Sequence, residues 1–97
     1  MTRYDTVVTG GTLVIPYVGE VKGDVGVVDG RVVTIADDLS RADSNVRIDA
    51  SGKHVFPGAV DSHYHLGIYR DLATDTESET TSSLVGGVTS VITLTRE

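Results

Sequence analysis

The run "GDVGVVDGRVVTI", residues 23–35, constrains the chain more than any other stretch. Asp29-Gly30 lies between two stretches of Val, Ile and Thr. A two-residue Asp-Gly connection with β-branched flanks suits a type I′ hairpin turn, which needs positive φ at both central positions. The run therefore predicts a tight antiparallel hairpin. Around it, "DTVVT", "TLVIP" and "VRIDASGKHVF" show the same β-branched enrichment, and helical periodicity is absent between Tyr4 and Val55. Gly10-Gly11 reads as a further turn and "ADDLSRADSN" as a polar loop. The first half of the chain is expected to be a β module.

The pattern changes at Phe56-Pro57-Gly58. "AVDSHYH", residues 59–65, reads as one short strand that runs into the loop "LGIYRDLATD". "TDTESETTSSLVGG" then predicts a helix N-capped by Thr74 or Thr76, with Glu77 or Glu79 at the third position of a capping box, and stopped by Gly86 and Gly87. Ser and Thr are poor helix-interior residues, so packing on Leu84 and Val85 is expected to hold it. "VTSVITLTRE" closes the chain as a second strand. Strand, helix and strand from Ala59 to Leu94 make one βαβ unit, which needs a parallel sheet with covered faces. The expected division is 1–56 and 57–97, and the expected class is α/β.

Size and charge narrow the function. Ninety-seven residues suffice for one small domain, which at this size buries only about 60–65% of the surface its unfolded chain exposes. The net charge of −6, from 14 acidic and 8 basic residues, gives no general attraction to nucleic acid or to an anionic membrane. There is no cysteine, so any metal must be held by His and carboxylates. The N-terminus lacks a signal-like apolar core, and no stretch approaches the roughly 18 apolar residues of a membrane span. A cytoplasmic protein is expected.

The residues with chemistry are His63 and His65, with Asp61 two residues before them. Side chains alternate along a strand, so all three project to one side while Ser62 and Tyr64 face the other. Two imidazoles on one rigid strand can reach a common ion at about 2.0–2.1 Å each. Asp61 can orient an imidazole from behind or act as a weak ligand. A chance i, i+2 histidine pair is the competing reading, but the pair stands at the carboxyl end of a strand that opens a βαβ unit, where open sheets and barrels place active sites. His54 has no partner at ligand spacing and reads as a strand-surface residue. Arg70 and Asp71 follow on a loop that would rim the site; solvated loop charge is the plain reading, and substrate contact by Arg70 is the functional one. Glu77 and Glu79 read as first-turn helix acids favoured by the helix dipole. No Ser stands in a nucleophile-elbow context, and the glycines fit neither a P-loop nor G-x-G-x-x-G.

In this order, "YDTVVTGGTLV", "GDVGVVDGRVVTI", "IDASGKHVFPGAVDSHYH" and "GGVTSVI" resemble the start of the cyclic amidohydrolases: dihydropyrimidinase, hydantoinase, allantoinase and dihydroorotase. The D-x-H-x-H after V-x-P-G is the most specific part. The resemblance implies that the β segment is the first half of a small sandwich, and that "AVDSHYH" is the first strand of a metal-dependent (β/α)8 TIM barrel. It further implies that His63 and His65 bind the more buried of two divalent metals, usually zinc. That binuclear centre activates hydroxide to attack the carbonyl of a small cyclic amide or imide. The remaining ligands in that family are a carboxylated lysine, two further histidines and an aspartate that also shuttles the proton, and none has a counterpart in these 97 residues. Dihydroorotases typically carry Arg two residues after the second histidine; Gly67 stands there, which disfavours that activity.

Two barrel strands of eight would expose apolar faces and edges if left alone. The chain is therefore expected to be the N-terminal piece of such an enzyme, inactive by itself, with the rest of the barrel supplied by a second polypeptide and the complete enzyme a homo-oligomer. The alternative is a non-catalytic, dihydropyrimidinase-like scaffold. A free-standing β module with a mononuclear site ranks last, since two histidines are too few to close a tetrahedral centre.

Overall fold

The computed structural model describes residues 3–95. Nine strands and one helix occur among them: β1 Tyr4–Thr9, β2 Thr12–Ile15, β3 Gly19–Lys22, β4 Asp24–Val28, β5 Arg31–Ala36, β6 Ser44–Asp49, β7 His54–Val55, β8 Ala59–Leu66, α1 Leu72–Val85 and β9 Val88–Thr95. They divide into two compact units, Met1–Pro57 and Gly58–Glu97. The division falls one residue beyond the 56/57 boundary read from composition.

The first unit is built from two mixed sheets, ordered β5-β4-β1-β6 and β3-β2-β7. The Asp29-Gly30 hairpin forms as expected: both residues have positive φ, 51° and 73°, and Val28 faces Arg31 across the turn. The Asp5 carboxylate accepts from the Asp29 amide at 2.7 Å and holds the turn from the neighbouring strand. Tyr4, Val7, Leu13 and Ala50 are buried. Complete burial of side chains such as Val7 and Leu13 contributes roughly 1.5–3 kcal/mol each. Gly26 is bare because the Tyr4 ring lies against it; a Cβ there would collide with the ring, whose hydroxyl reaches Thr34 Oγ1 at 2.9 Å. Buried Asp24 takes the amides of Gly10 at 2.9 Å and Leu39 at 2.7 Å, tying two loops to the start of β4.

Two features of this unit depart from the sequence reading. "VRIDASGKHVF" is not one strand. Asp49 accepts from both the amide and hydroxyl of Ser51, the Lys53 amide returns to the Ala50 carbonyl, and Gly52 takes φ +75°, so the chain turns. β6 then pairs parallel with β1, and β7 pairs parallel with β2 in the other sheet. β3, "GEVK", escaped the reading because all four residues are exposed and it carries a single β-branched side chain.

The second unit is a parallel β8–β9 pair with α1 as the crossover. α1 begins earlier than the sequence suggested. Asp71, with extended φ/ψ of −61° and 150°, is the N-cap, and its carboxylate accepts from the Thr74 amide at 3.1 Å and hydroxyl at 3.0 Å. Aspartate is as strong a cap as Ser and stronger than Thr, and here it engages Thr74 twice. The two donated bonds hold the Asp71 carboxyl below the usual carboxylate range. Neither Thr74 nor Thr76 is the cap, and Asp75, not Glu77 or Glu79, is the first-turn acid. Gly86 is the C-cap and Gly87 follows at φ +90°. Leu84 and Val85 are exposed, so they do not anchor the helix as expected. Five hydroxyls instead bond back to carbonyls four residues earlier: Thr76 to Leu72, Thr80 to Thr76, Thr81 to Glu77, Ser82 to Ser78 and Ser83 to Glu79. These bonds satisfy locally the groups that make Ser and Thr compete with helix backbone.

Candidate metal centre

β8 carries the histidine pair on its last turns toward the loop. Among the described residues it pairs with β9 alone, and its register slips between Asp61 and Tyr64, so Ser62 and His63 together stand opposite one residue of β9. Such a bulge leaves one residue out of the ladder and re-aims its side chain. The His63 amide donates to Asp61 Oδ1 at 3.0 Å. Asp61 therefore supports the histidine strand through the main chain, rather than through an imidazole as the sequence suggested.

The two rings converge. His63 Nε2 lies 2.9 Å from His65 Nε2, with ring centroids 4.8 Å apart and planes inclined at 62°. At that distance one nitrogen donates a proton and the other accepts. Both must present Nε2 lone pairs to hold a cation, which requires the Nδ1–H tautomer in each ring. The pair suits an ion: at imidazole–zinc bonds of about 2.0–2.1 Å, a 2.9 Å separation subtends about 90° at the metal. Opening to about 3.3 Å would reach the tetrahedral angle. Among the described residues no group of three or more His, Cys, Asp or Glu converges, so the chain brings two donors and no closed site.

Three contacts secure the strand beneath the pair. Tyr64, on the opposite face, places its hydroxyl 2.6 Å from Ser83 Oγ on α1. Thr93 Oγ1 donates to the Tyr64 carbonyl at 2.9 Å. Just past buried Leu66, the Gly67 amide donates to Asp75 Oδ2 at 2.8 Å, and Asp75 is only 7% exposed. Gly67 has φ +77°, a conformation open to glycine at little cost.

The remaining sequence candidates do not join the pair. Arg70 is exposed on the loop between Gly67 and Asp71 and makes no hydrogen bond or ion pair among the described residues. Glu77 and Glu79 are exposed on α1. His54 pairs with Glu20 at 3.4 Å across exposed strand surface. Sequence reasoning missed Tyr64 and Asp75. Tyr64 was visible as the residue alternating between the histidines, while Asp75 gave no signal, because its partner is a backbone amide eight residues away.

No family model matches the chain. The allantoinase of Desulfitobacterium hafniense (strain Y51) is 39% identical over 87 residues, which is 90% of this chain and 19% of that protein. The L-hydantoinase (dihydropyrimidinase) structure from Arthrobacter aurescens superposes with a TM-score of 0.83 at 37% identity, covering 95% of this chain and 21% of that one. The chain matches the N-terminal portion of a cyclic amidohydrolase. It spans about a fifth of the length of these relatives. Its mixed sheets match the N-terminal β-sandwich domain of hydantoinase-like amidohydrolases. The N-acyl-D-glutamate deacylase of Bordetella bronchiseptica, solved with zinc and a phosphonate mimic of the tetrahedral intermediate, superposes at TM-score 0.81 and 28% identity, over 95% of this chain and 19% of that one. No helix among the described residues is long and apolar enough to cross a membrane.

Proposed function

We propose that this chain is the N-terminal part of a metal-dependent hydrolase that opens a cyclic amide or imide of the hydantoin or dihydropyrimidine kind. Residues 1–56 form part of its β-sandwich, and residues 57–97 supply the first strand, helix and second strand of a (β/α)8 barrel. His63 and His65 are two ligands of a binuclear divalent centre, with zinc the metal. The observation that carries this reading is the 2.9 Å convergence of the two Nε2 atoms at the carboxyl end of β8. Active sites of (β/α)8 enzymes gather at the carboxyl ends of the strands. The zinc held by the Bordetella relative favours the same metal here.

When bound, the metals supply Lewis acidity toward a carbonyl and a nucleophilic water near neutral pH. This chain's residues provide the seat: His63 and His65 present the nitrogens, Asp61 holds the bulge that aims His63, and Arg70 stands where the loop can meet polar atoms of the substrate. The other ligands and the proton-shuttling aspartate lie in polypeptide outside these 97 residues, and the complete enzyme is a homo-oligomer. Without that remainder these residues are inactive.

The test uses the complete enzyme. Native material should carry close to two divalent metals per active site and open hydantoin, dihydrouracil or allantoin. His63→Ala should lose metal and at least about a thousandfold in turnover, on the scale by which metal activation of water accelerates hydrolysis. Full metal content and turnover in that variant would remove the assigned role, and a complete assembly without metal would favour a non-catalytic scaffold.

A further inference from the structure

Resting on the ligand role of His63 and His65, we infer that α1 acts as a two-point clamp on the histidine strand. Asp75 and the Tyr64–Ser83 pair are positioning residues that set how the two imidazoles converge. The contacts alternate with the ligands along the chain. Tyr64 lies between the histidines and is tied by its hydroxyl to Ser83 near the end of α1, at 2.6 Å. Gly67 lies two residues beyond His65 and is tied by its amide to Asp75 in the first turn of α1, at 2.8 Å. One helix thus grips β8 at 64 and the residue just past its end at 67, from the two ends of its own length.

Two physical arguments separate this clamp from ordinary packing. The first is where the ties fall. The β8–β9 register slips at the histidines, between Asp61 and Tyr64, and the two ties from α1 meet the chain just beyond that slip, at Tyr64 and Gly67. A bulge leaves a residue out of the ladder, so contacts from another element help to set how the neighbouring side chains aim. The second is that Asp75 is a carboxylate with 7% exposure whose hydrogen-bond partner is a main-chain amide, with no basic group in the bond. Burying a carboxylate is unfavourable unless its hydrogen bond is kept. The arrangement therefore fixes the strand exit more sharply than an apolar residue of that size would. The Tyr64 tie acts on the face opposite the histidines, so loss of either point rotates or tilts the same short segment.

The clamp is tested in the complete enzyme loaded with Co2+, read by affinity and by the visible d–d absorption, which reports coordination geometry. Asp75→Ala should weaken Co2+ binding about tenfold, as loss of groups that orient ligands commonly does. It should also alter the d–d bands. Tyr64→Phe should weaken binding about threefold, the scale of one neutral hydrogen bond. Asp75→Asn, which keeps an acceptor oxygen for the Gly67 amide, should restore both readouts most of the way. A merely structural residue would lower the melting temperature of the metal-free protein and leave the cobalt spectrum as in the wild type; that result in Asp75→Ala overturns the clamp. If Asp75→Ala does not fold, an unchanged affinity and spectrum in Tyr64→Phe overturns it instead. Undiminished Co2+ binding in His63→Ala strikes at the ligand role itself, whereas loss there with neutral clamp variants rejects the clamp alone.

Discussion

The β unit buries Tyr4, Val7, Leu13 and Ala50, whereas the unit that carries the histidines buries only Leu66 and Asp75 among its described residues; both leave large apolar side chains open, Val32, Ile35 and Phe56 in the first and Val60, Leu84, Val85, Ile92 and Leu94 in the second. The first unit combines apolar burial with carboxylates that tie its loops and turns, Asp24 to Gly10 and Leu39 and Asp5 to Asp29, and with glycines that let side chains approach backbone, as Gly26 does for Tyr4. The second, with less burial, relies more on hydrogen bonds: an aspartate cap and the ties from α1 to β8. Burial is non-directional, and hydrogen bonds aim groups. The difference teaches that the candidate site stands on the part of the chain that has less core of its own.

That contrast is open to direct attack in the 97-residue chain. Leu13→Ala should have the largest effect, destabilising by about 2–5 kcal/mol as buried Leu truncations do. The loss should show as a fall in the urea midpoint without a change in slope. A small shift there would mean that the β unit has no effective core. Ile92→Ser should change stability by no more than about 0.5 kcal/mol, because Ile92 is already 65% exposed. A loss as large as that of Leu13→Ala would erase the distinction between the units. The smallest effect belongs to Asp71. Its carboxyl is held below the ordinary range by the Thr74 amide and hydroxyl, so its contribution is present above the unfolded-state pKa and is lost as pH falls through the lower folded value. Helix signal should therefore weaken on acidification below about pH 4, and Asp71→Asn should flatten that dependence. An unchanged acid profile in the variant would show that the cap does not govern α1.

Much of the fold was legible because its strongest signals are local. Asp29-Gly30 needs only its own φ values and two flanking runs, and the alternation of 59–65 needs only strand geometry. The misreadings came from partners distant in sequence. Thr74 and Thr76 had the right chemistry for a cap, but Asp71 lay three residues nearer the strand and could bond Thr74 twice. The break inside "VRIDASGKHVF" depends on Asp49 turning back to Ser51, and on β6 and β7 joining different sheets. For the site, the spacing of His63 and His65 marked the pair, while the bulge that redirects Asp61 to a main-chain amide is a property of pairing with β9. Under the proposed function the histidines belong to a larger centre, and no residue pattern inside these 97 positions supplies its other half.

The back-bonded hydroxyls of α1 have one more consequence. A helix rich in Ser and Thr would ordinarily resist being covered by another layer of protein, because each hydroxyl drawn out of water would leave a bond unmade. Here Thr76, Thr80, Thr81, Ser82 and Ser83 already spend their protons on the turn behind them. These hydroxyls can be dried at little enthalpic loss, so the Ser and Thr content is no obstacle to covering the helix, whereas Glu77 and Glu79 would still need water or a partner.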